Sequence, residues 1–184
     1  MSPVAVLVGA PGAGKSTVGK RLASSLKVSF ADSDQMIEKQ AGMPVSDIFV
    51  MQGEPVFREM EEQTIAKALQ EHDGVLSLGG GAILNERTRA LLKNVPVVWL
   101  DVDLSQAAKR VGMNQARPLL LGDVRANMNR LMKERAPLYA EVASITINTN
   151  GLKVREVVEE IVKQLNAVPD AQNTSNPETG VSND

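Results

Sequence analysis

The sequence predicts a three-layer α/β/α fold, in which helices cover both faces of a parallel β-sheet. Short apolar runs of strand length alternate along the chain with longer segments whose apolar residues recur at helical spacing. Several of the short runs, such as residues 4–8 and 95–100, are apolar without alternation, as expected for strands buried on both faces of a sheet. At 184 residues, the chain is long enough for one domain with a substantial core.

The individual elements follow from these runs in chain order. Apolar runs predict strands over residues 4–8, 28–31, 75–78, 95–100 and 144–147. Apolar residues at spacings of three and four predict the helices between them, over residues 18–26, 36–42, 46–49, 54–70, 85–92, 104–111, 126–139 and 154–165. The polar, glycine-containing segment 112–123 is predicted to be a loop that forms a lid.

Residues that cap or break regular structure mark several of these boundaries. Gly42 and the nearby Pro44 end the second helix, and Gly74 separates the long charged helix from the third strand. Asn85 is a favoured N-cap for the helix that follows it. Pro96 is tolerated near the start of a strand, where a missing N–H donor matters least.

Composition limits the possible functions. A formal net charge of −2 argues against a protein that binds nucleic acid through bulk electrostatics. The sequence contains no cysteine, which excludes disulfides, cysteine catalysis and thiolate metal sites. No apolar stretch approaches the roughly 18 residues that a membrane span requires, and the first strand begins too early for a signal peptide. We therefore expect a cytoplasmic protein without nucleic-acid or membrane partners.

The predicted domain covers residues 1–166. Residues 167–184 are rich in Pro, Asn, Ser, Thr and Asp and almost free of apolar residues, which is typical of a disordered tail. Within the domain, the single histidine, His72, is expected to cap a helix or lie on the surface. The single tryptophan, Trp99, is expected to pack in the core because it lies inside a predicted strand.

The most specific motif is a phosphate-binding loop, which we call the phosphate loop. Residues 9–17, GAPGAGKST, match the pattern G-x-x-x-x-G-K-[ST] between a predicted strand and a predicted helix. Glycines let backbone N–H groups form a concave site for phosphate oxygens, and the helix N-terminus adds a favourable dipole. Lys15 can reach the β- and γ-phosphates, and the Ser16 hydroxyl can bind Mg²⁺. The sequence therefore predicts a nucleotide site that includes Gly12, Ala13, Gly14, Lys15, Ser16 and Thr17.

Two aspartates follow the second predicted strand, at the same sheet edge as the phosphate loop. Asp32 and Asp34 could support Mg²⁺ binding and orient or deprotonate an attacking hydroxyl, or one of them could simply cap the next helix. The third strand ends at residues 77–79 without an acidic residue, so Asp32 is the better magnesium candidate. The glycines at 79–81 either allow close approach to a ligand or form a flexible turn.

Four arginines are candidates for binding anions. Arg58 lies on the long helix, Arg110 precedes the predicted lid, Arg117 lies within it, and Arg135 lies on the helix after it. A guanidinium group can bind a carboxylate or phosphate through two parallel hydrogen bonds. For each arginine taken alone, a solvated surface role is the competing interpretation.

In these motifs and in their order, the chain resembles the shikimate kinase family, which belongs to the nucleoside monophosphate kinase-like branch of P-loop proteins. The resemblance covers residues 3–166 and rests on the phosphate loop, Asp32-Ser33-Asp34, Phe57-Arg58, Leu78-Gly79-Gly80-Gly81, Arg110 with Arg117-Pro118-Leu119, and Arg135-Ala136-Pro137-Leu138-Tyr139. One departure lies at residues 148–150, Asn-Thr-Asn, where many relatives carry an acidic residue before the threonine. The adenine contacts near that segment are therefore left open.

The resemblance implies ATP- and Mg²⁺-dependent phosphorylation of the shikimate 3-hydroxyl, which gives shikimate 3-phosphate and ADP in chorismate and aromatic amino-acid biosynthesis. It also implies the sheet order 2-3-1-4-5, a substrate-binding region over residues 34–61, a lid over 112–123 and a monomer. By resemblance, the catalytic residues are Lys15, Asp34 and Arg117, and Arg110 and Arg117 join the phosphate loop in binding ATP. The metal-binding residues would be Ser16 and Asp32, and the substrate-binding residues Asp34, Arg58, Gly80 and Arg135.

Two other functions fit part of the same pattern. A related small-molecule kinase, such as a gluconate kinase, also acts on a substrate with hydroxyls and a carboxylate. The ordered set of Asp34, Arg58, Gly80 and Arg135 favours the cyclic substrate over it. A nucleotide-dependent switch without turnover is the second alternative, and the intact phosphate loop, Asp34 and Arg117 argue against it.

Overall fold

The fold is described here from a computed structural model that covers residues 2–114 and 121–167. Within these residues the strands are β1 (Ala5–Val8), β2 (Phe30–Asp32), β3 (Val75–Ser77), β4 (Val97–Asp101) and β5 (Ile145–Asn148). The helices are α1 (Lys15–Leu26), α2 (Ser33–Ala41), α3 (Val45–Gln52), α4 (Glu54–Glu71), α5 (Glu86–Leu92), α6 (Leu104–Asn114), α7 (Leu121–Val142) and α8 (Val154–Ala167), with a 3₁₀ turn at Ala82–Leu84 before α5.

The strands form one parallel sheet in the order β2-β3-β1-β4-β5, which confirms the predicted fold class and strand order. The central strand β1 is completely enclosed, since each of its residues is at most 1% exposed. Asp32, at the end of β2, is in register with Ser77 at the end of β3. Because all strands run the same way, the segments after β1, β2 and β3 meet at one edge of the sheet.

The core lies on both faces of this sheet. On one face, Leu7 of β1 packs with residues of α1 and α8, including Leu22 and Ile161. On the other face, Val6 packs with residues of α4, α5 and α7, including Ile65. Neighbouring residues of β1 therefore point into different halves of the core, which explains why the strand is apolar at every position.

A smaller apolar cluster joins α2, α3 and α4 away from the sheet. It consists of the buried Ile37, Ile48 and Phe57, and the rings of Phe49 and Phe57 lie 4.5 Å apart between centroids. This cluster holds together the helices of the predicted substrate-binding region 34–61. The region thus has a packing unit of its own beside the main core.

Several predicted boundaries differ from the structure, and two of them have an identifiable cause. The second strand was expected over residues 28–31, but β2 is Phe30–Asp32, because Lys27 ends α1 in a left-handed conformation with φ 58°. Helix α2 begins at Ser33 rather than at residue 36, because the Asp32 side chain caps it.

The predicted lid loop over 112–123 is also partly wrong. Helix α6 continues to Asn114 and α7 begins at Leu121, so both helices extend into the segment. A single glycine inside a helix costs only about 1 kcal/mol, and Gly112 therefore does not have to end α6. Arg117 and most of the predicted tail, residues 168–184, lie outside the described residues.

The predictions for three individual residues are confirmed. Asn85 caps α5 by accepting a hydrogen bond from Thr88 N–H at 3.0 Å. His72 is the C-cap residue of α4, and one of its ring nitrogens lies 3.1 Å from the carbonyl oxygen of Val75. Trp99 packs against the core on the α4, α5 and α7 side. Among the described residues, no helix combines the length and the apolar character that crossing a bilayer requires.

Candidate active site

The phosphate loop connects β1 to α1 and is shaped by its glycines. Gly12 and Gly14 have φ values of 78° and 87°, in the left-handed region that favours glycine. Lys15 folds back over the loop and donates to the carbonyl oxygens of Gly9 at 2.8 Å and Ala10 at 3.0 Å. The lysine is thereby held at the mouth of the loop, where phosphate oxygens could replace these carbonyls.

The charged form of Lys15 is destabilised when no ligand is bound. Burial lowers the pKa of Lys15 to about 8, although the nearby carboxylates of Asp34 and Asp32 oppose this shift and Arg135 adds to it. An anionic ligand would stabilise the charged form, because it brings negative charge to a desolvated ammonium group.

Helix α6 closes the other side of the phosphate loop. A Cβ on Gly12 would lie 2.7 Å from the carbonyl oxygen of Ala107, so only glycine fits there. The Arg110 guanidinium donates to the carbonyl oxygen of Gly12 at 3.1 Å. Arg110 also lines a cavity of about 210 Å³ with Thr149 and Leu152, next to the loop. The predicted nucleotide-binding role of Arg110 is therefore compatible with its place between the loop and this cavity.

Asp32 uses its two carboxylate oxygens in two different ways. Oδ1 accepts from the N–H groups of Asp34 at 3.0 Å and Gln35 at 3.4 Å, which makes Asp32 the N-cap of α2. Oδ2 accepts from the Ser16 hydroxyl at 2.8 Å. The capping interpretation is confirmed, and the second oxygen still lies beside Ser16, as a shared metal site would need.

Asp34 lies in the first turn of α2 and faces the interior of the site. Its Oδ1 is buried and has no hydrogen-bond partner among the described residues. Burial raises the pKa of Asp34, the carboxylate of Asp32 raises it further, and the positive charge of Lys15 opposes both. A buried acceptor without a partner is costly, so a rearrangement that brings a hydroxyl donor to this oxygen would be favourable.

Arg58 is already paired within the protein, which the sequence analysis did not anticipate. It donates to Glu61 Oε2 at 2.7 Å and to Glu54 Oε1 at 3.2 Å. The Glu61 side chain is 4% exposed, and its burial raises the pKa of the carboxyl group while Arg58 opposes the rise. The spacing of three residues between Arg58 and Glu61 on a helix was the signal that could have revealed this pair.

The first glycine of the turn after β3 makes room for carboxylates. None of the glycines at 79–81 has a positive φ, so their small size rather than their backbone freedom is needed. A Cβ on Gly79 would lie 2.8 Å from Asp34 Oδ1 and 3.0 Å from Glu61 Oε1. The Gly79 N–H also donates to the buried Ser33 hydroxyl at 3.0 Å, which ties the turn to the start of α2.

The other two glycines accommodate different neighbours. A Cβ on Gly80 would lie 2.9 Å from the Pro11 ring of the phosphate loop, and one on Gly81 would lie 2.5 Å from an Arg58 nitrogen. The carbonyl oxygen of Gly80 accepts from the Tyr139 hydroxyl at 2.6 Å. The turn therefore contacts the phosphate loop, α4 and α7 at once. Sequence reasoning had noted the glycines but had missed Ser33 and Tyr139 as their partners.

The phosphate loop, both aspartates and the first two glycines of the turn line one cavity of about 340 Å³ at the carboxyl edge of the sheet. It is lined by Pro11, Gly12, Gly14, Lys15, Ser16, Thr17, Asp32, Asp34, Ser77, Leu78, Gly79 and Gly80. Arg135, on α7, is close enough to affect the pKa values of Lys15, Glu61 and Tyr139. Among the residues predicted from sequence, the structure thus brings together the phosphate loop, both aspartates, Arg58, Gly80 and Arg135.

Comparison with known proteins gives this arrangement a family. A family model described as "Shikimate kinase" matches residues 11–166 of the chain. The chain belongs to the shikimate kinase family. A shikimate kinase from Saccharopolyspora erythraea is 53% identical over 168 residues, which cover 91% of this chain and 96% of the relative.

Solved structures support the same assignment. A shikimate kinase from Acinetobacter baumannii in complex with shikimate superposes with a TM-score of 0.84 at 36% identity, covering 91% of this chain and 94% of that one. A gluconokinase from Sinorhizobium meliloti superposes with a TM-score of 0.57 at 18% identity, covering 89% of this chain and 91% of the other, which shows a shared fold alone. As a member of the shikimate kinase family, the chain is an ATP-dependent small-molecule kinase.

Proposed function

We propose that this chain transfers the γ-phosphate of ATP to the 3-hydroxyl of shikimate, giving shikimate 3-phosphate and ADP in aromatic amino-acid biosynthesis. The observation that carries the proposal is the shared cavity, which the phosphate loop and Asp34 line together. Phosphoryl transfer depends mainly on positioning and charge neutralisation, so a site that combines these two elements is suited to it.

On the nucleotide side, the phosphate loop would hold the β- and γ-phosphates, with Lys15 as their main cationic partner. Lys15 would release the carbonyls of Gly9 and Ala10 and keep its charge, because the phosphates restore the stabilisation that burial removes. Arg110 would contact the adenine side of the nucleotide. Arg117, in the predicted lid, would reach the transferred phosphate and stabilise charge in the transition state.

The residues beside the phosphate loop also fit a bound Mg²⁺. The Ser16 hydroxyl and Asp32 Oδ2 are adjacent oxygen donors, and no cluster of three metal-binding side chains occurs in the described part of the chain. This is the donor set expected for Mg²⁺, which uses one or two protein ligands together with water and substrate phosphates. When bound, the ion would neutralise phosphate charge, while Ser16 and Asp32 would hold it in place.

On the substrate side, Asp34 would accept a hydrogen bond from the reacting hydroxyl and orient it toward the γ-phosphate. Arg58, Arg135 and the backbone N–H of Gly80 would bind the carboxylate at the other end of the ring. Arg58 already donates a hydrogen bond to Glu61, so its guanidinium is oriented before the substrate arrives. Together these groups would set both the distance and the direction of the hydroxyl.

The decisive experiment is a coupled assay of ADP release with shikimate, with gluconate and without an acceptor. We expect ADP release that depends on shikimate and on Mg²⁺. Activity with gluconate at comparable kcat/KM would favour the related kinase instead. Nucleotide binding without turnover on either acceptor would favour a switch protein. We further propose that the enzyme acts as a cytoplasmic monomer, which gel filtration and cell fractionation can check.

A further inference from the structure

Tyr139 connects the centre of the core to the glycine turn. Its side chain is buried, with 2% of the residue exposed, and its hydroxyl donates to the carbonyl oxygen of Gly80 at 2.6 Å. Its ring stacks on Trp99 of β4, with 5.8 Å between the ring centroids and 29° between the planes. The ring is thus fixed by packing, and the hydroxyl is aimed at one peptide group of the active site.

The hydrogen bond to the Gly80 carbonyl also fixes the next N–H group. In a trans peptide, the carbonyl and the following N–H point in opposite directions, and the described residues contain no cis peptide. Tyr139 therefore determines where the Gly81 N–H points. Gly81 lies directly against the Arg58 guanidinium, since a Cβ there would lie 2.5 Å from an Arg58 nitrogen.

The preceding peptide is held in a similar way. The carbonyl oxygen of Gly79 accepts from Ala82 N–H at 3.1 Å, which fixes the direction of the Gly80 N–H. Neither Gly80 N–H nor Gly81 N–H donates a hydrogen bond within the described part of the chain. The hydrogen bonds to the Gly79 and Gly80 carbonyls therefore orient the N–H groups of Gly80 and Gly81, and both N–H groups can still bind a ligand.

Tyr139 and Arg135 lie one helical turn apart on α7. A spacing of four residues places both side chains on the same face of the helix. Burial raises the pKa of Tyr139 to about 12, and the positive charge of Arg135 opposes the rise, which is consistent with their proximity. The bond from Tyr139 to Gly80 therefore holds the face of α7 that carries Arg135 against the glycine turn.

We propose that Tyr139 is a positioning residue for carboxylate recognition, because its hydroxyl orients the Gly80–Gly81 peptide and docks the Arg135-bearing face of α7 onto it. The inference rests on the proposed function, in which Arg58, Arg135 and the Gly80 N–H bind the shikimate carboxylate. The Gly81 N–H, which Tyr139 orients and which lies against Arg58, would join them. Tyr139 acts through them from the far side of the Gly80 carbonyl. A packing role alone would need only the ring, so removal of the hydroxyl separates the two roles.

Tyr139→Phe keeps the ring and its contact with Trp99 but removes the donor to Gly80. We expect the KM for shikimate to rise about 3- to 15-fold, because the substitution removes the hydrogen bond that orients the carboxylate-binding groups. The kcat and the KM for ATP should stay within about twofold of the wild type, because the phosphate loop is untouched. The methyl ester of shikimate, which lacks the negative charge, should be much less sensitive to the substitution.

Ser144→Ala is the matched control. The Ser144 hydroxyl also donates to a buried backbone carbonyl, that of Val97 at 3.1 Å. Val97 is the first residue of β4, so this bond lies away from the carboxyl edge of the sheet. This variant should lose stability without changing the KM for shikimate. Incorporation of 4-aminophenylalanine at position 139 restores a donor and should rescue the KM of the Phe variant. An unchanged KM in Tyr139→Phe, or an equal loss for acid and ester, would overturn the proposal.

Trp99 supplies a second measurement that needs no variant. It is the only tryptophan of the chain, so the intrinsic emission reports on the ring that stacks on Tyr139. Saturating shikimate should change this emission in the wild type, and its methyl ester should change it much less. Emission that does not respond to bound shikimate would count against the proposal even if Tyr139→Phe did not fold. A wild-type protein without shikimate-dependent ADP release would instead overturn the proposed function.

Discussion

The phosphate loop comes from consecutive residues and presents mainly backbone groups, whereas the groups around Asp34 come from separate segments and present mainly side chains. On the nucleotide side, the phosphate loop itself carries one charged side chain, Lys15, which the loop holds through its own carbonyls. On the substrate side, Arg58 is balanced by Glu61 and Glu54 before any ligand binds. The nucleotide side therefore tolerates little change in backbone geometry. The substrate side depends on paired charges, so a single substitution can leave one charge without its partner.

The largest effect should come from the nucleotide side. Lys15→Ala should lower kcat roughly 10³-fold or more, because it removes the main cation that faces developing charge on the phosphates. The fold should remain intact. Lys20→Ala, which removes an exposed lysine of the same helix, is the control and should be fully active. Steady-state kinetics on both variants check this, and near-normal turnover in folded Lys15→Ala would remove the contrast between the two sides.

The same variant makes a prediction about stability and pH. The pKa of Lys15 is about 8 in the folded protein and 10.5 in its ordinary environment, so the unfolded chain holds more protons between these values. Stability contributed by this site should therefore rise with pH across that window. At pH 7, Lys15→Ala should be at least as stable as the wild type, and the difference should shrink toward pH 10.5. Thermal melts across this pH range test the sign.

The next effect should come from Asp34. Asp34→Asn should lower kcat about 10²-fold, at the lower end for a positioned acid–base group, since the amide oxygen can still accept a hydrogen bond. Because burial raises the pKa of Asp34, the acid limb of kcat/KM in the wild type should lie above the usual aspartate pKa of about 3.9. That limb should disappear in the variant. Asp47→Asn, an exposed first-turn aspartate of α3, should leave the pH profile unchanged.

A smaller effect, on binding rather than turnover, should distinguish the two arginines. Arg135→Lys and Arg58→Ala should each weaken shikimate binding by about 2 kcal/mol, or roughly 30-fold, with ATP affinity little changed. Only Arg58→Ala should also destabilise the fold, because it leaves the buried Glu61 without its partner. Adding Glu61→Gln should restore part of that stability.

The methyl ester of shikimate separates recognition of the carboxylate from general damage. Values of kcat/KM for acid and ester on the wild type and both arginine variants should show a loss mainly for the acid. Arg87→Ala, which removes a surface arginine whose side chain is 85% exposed, should affect neither compound. Equal losses for acid and ester would mean that these arginines do not bind the carboxylate and that the proposed orientation of the substrate is wrong.

The smallest effect should come from the predicted tail. Deleting residues 169–184 should change the Tm by less than about 1 °C and kcat/KM by less than about twofold, because the segment has few apolar residues to bury. A longer deletion that also removes α8 should unfold the protein, since Val157, Val158 and Ile161 pack in the core. A marked loss from the short deletion would show that the tail contributes to one of the two sides.

The contrast between the two sides also explains what could be predicted from the sequence. The phosphate loop is contiguous, and its pattern directly reflects the geometry of its backbone. The buried strands were recognisable for the same reason, because burial on both faces leaves a continuous apolar run. The parallel fold class therefore followed from local patterns, whereas the strand order came from the family resemblance.

The connections on the substrate side left weaker signals. Ser33 and Tyr139 act on the glycine turn across 46 and 59 residues of sequence, and no local pattern indicates such partners. Helical spacing places Glu61 beside Arg58, but α4 carries many other charged residues, so the sequence did not single out this pair. The exact start of α2 depended on which aspartate formed the cap, and the sequence offered two.

The three glycines at 79–81 have a consequence for how this protein can evolve. Accepting a side chain at the first would require the Asp34 and Glu61 carboxylates to move, at the second a displaced Pro11 ring, and at the third a displaced Arg58 guanidinium. Each compensating change falls on the site itself, so no neutral intermediate connects the present turn to one with larger residues. A lineage under selection for turnover should keep all three glycines, and a duplicated copy released from that selection should lose them early.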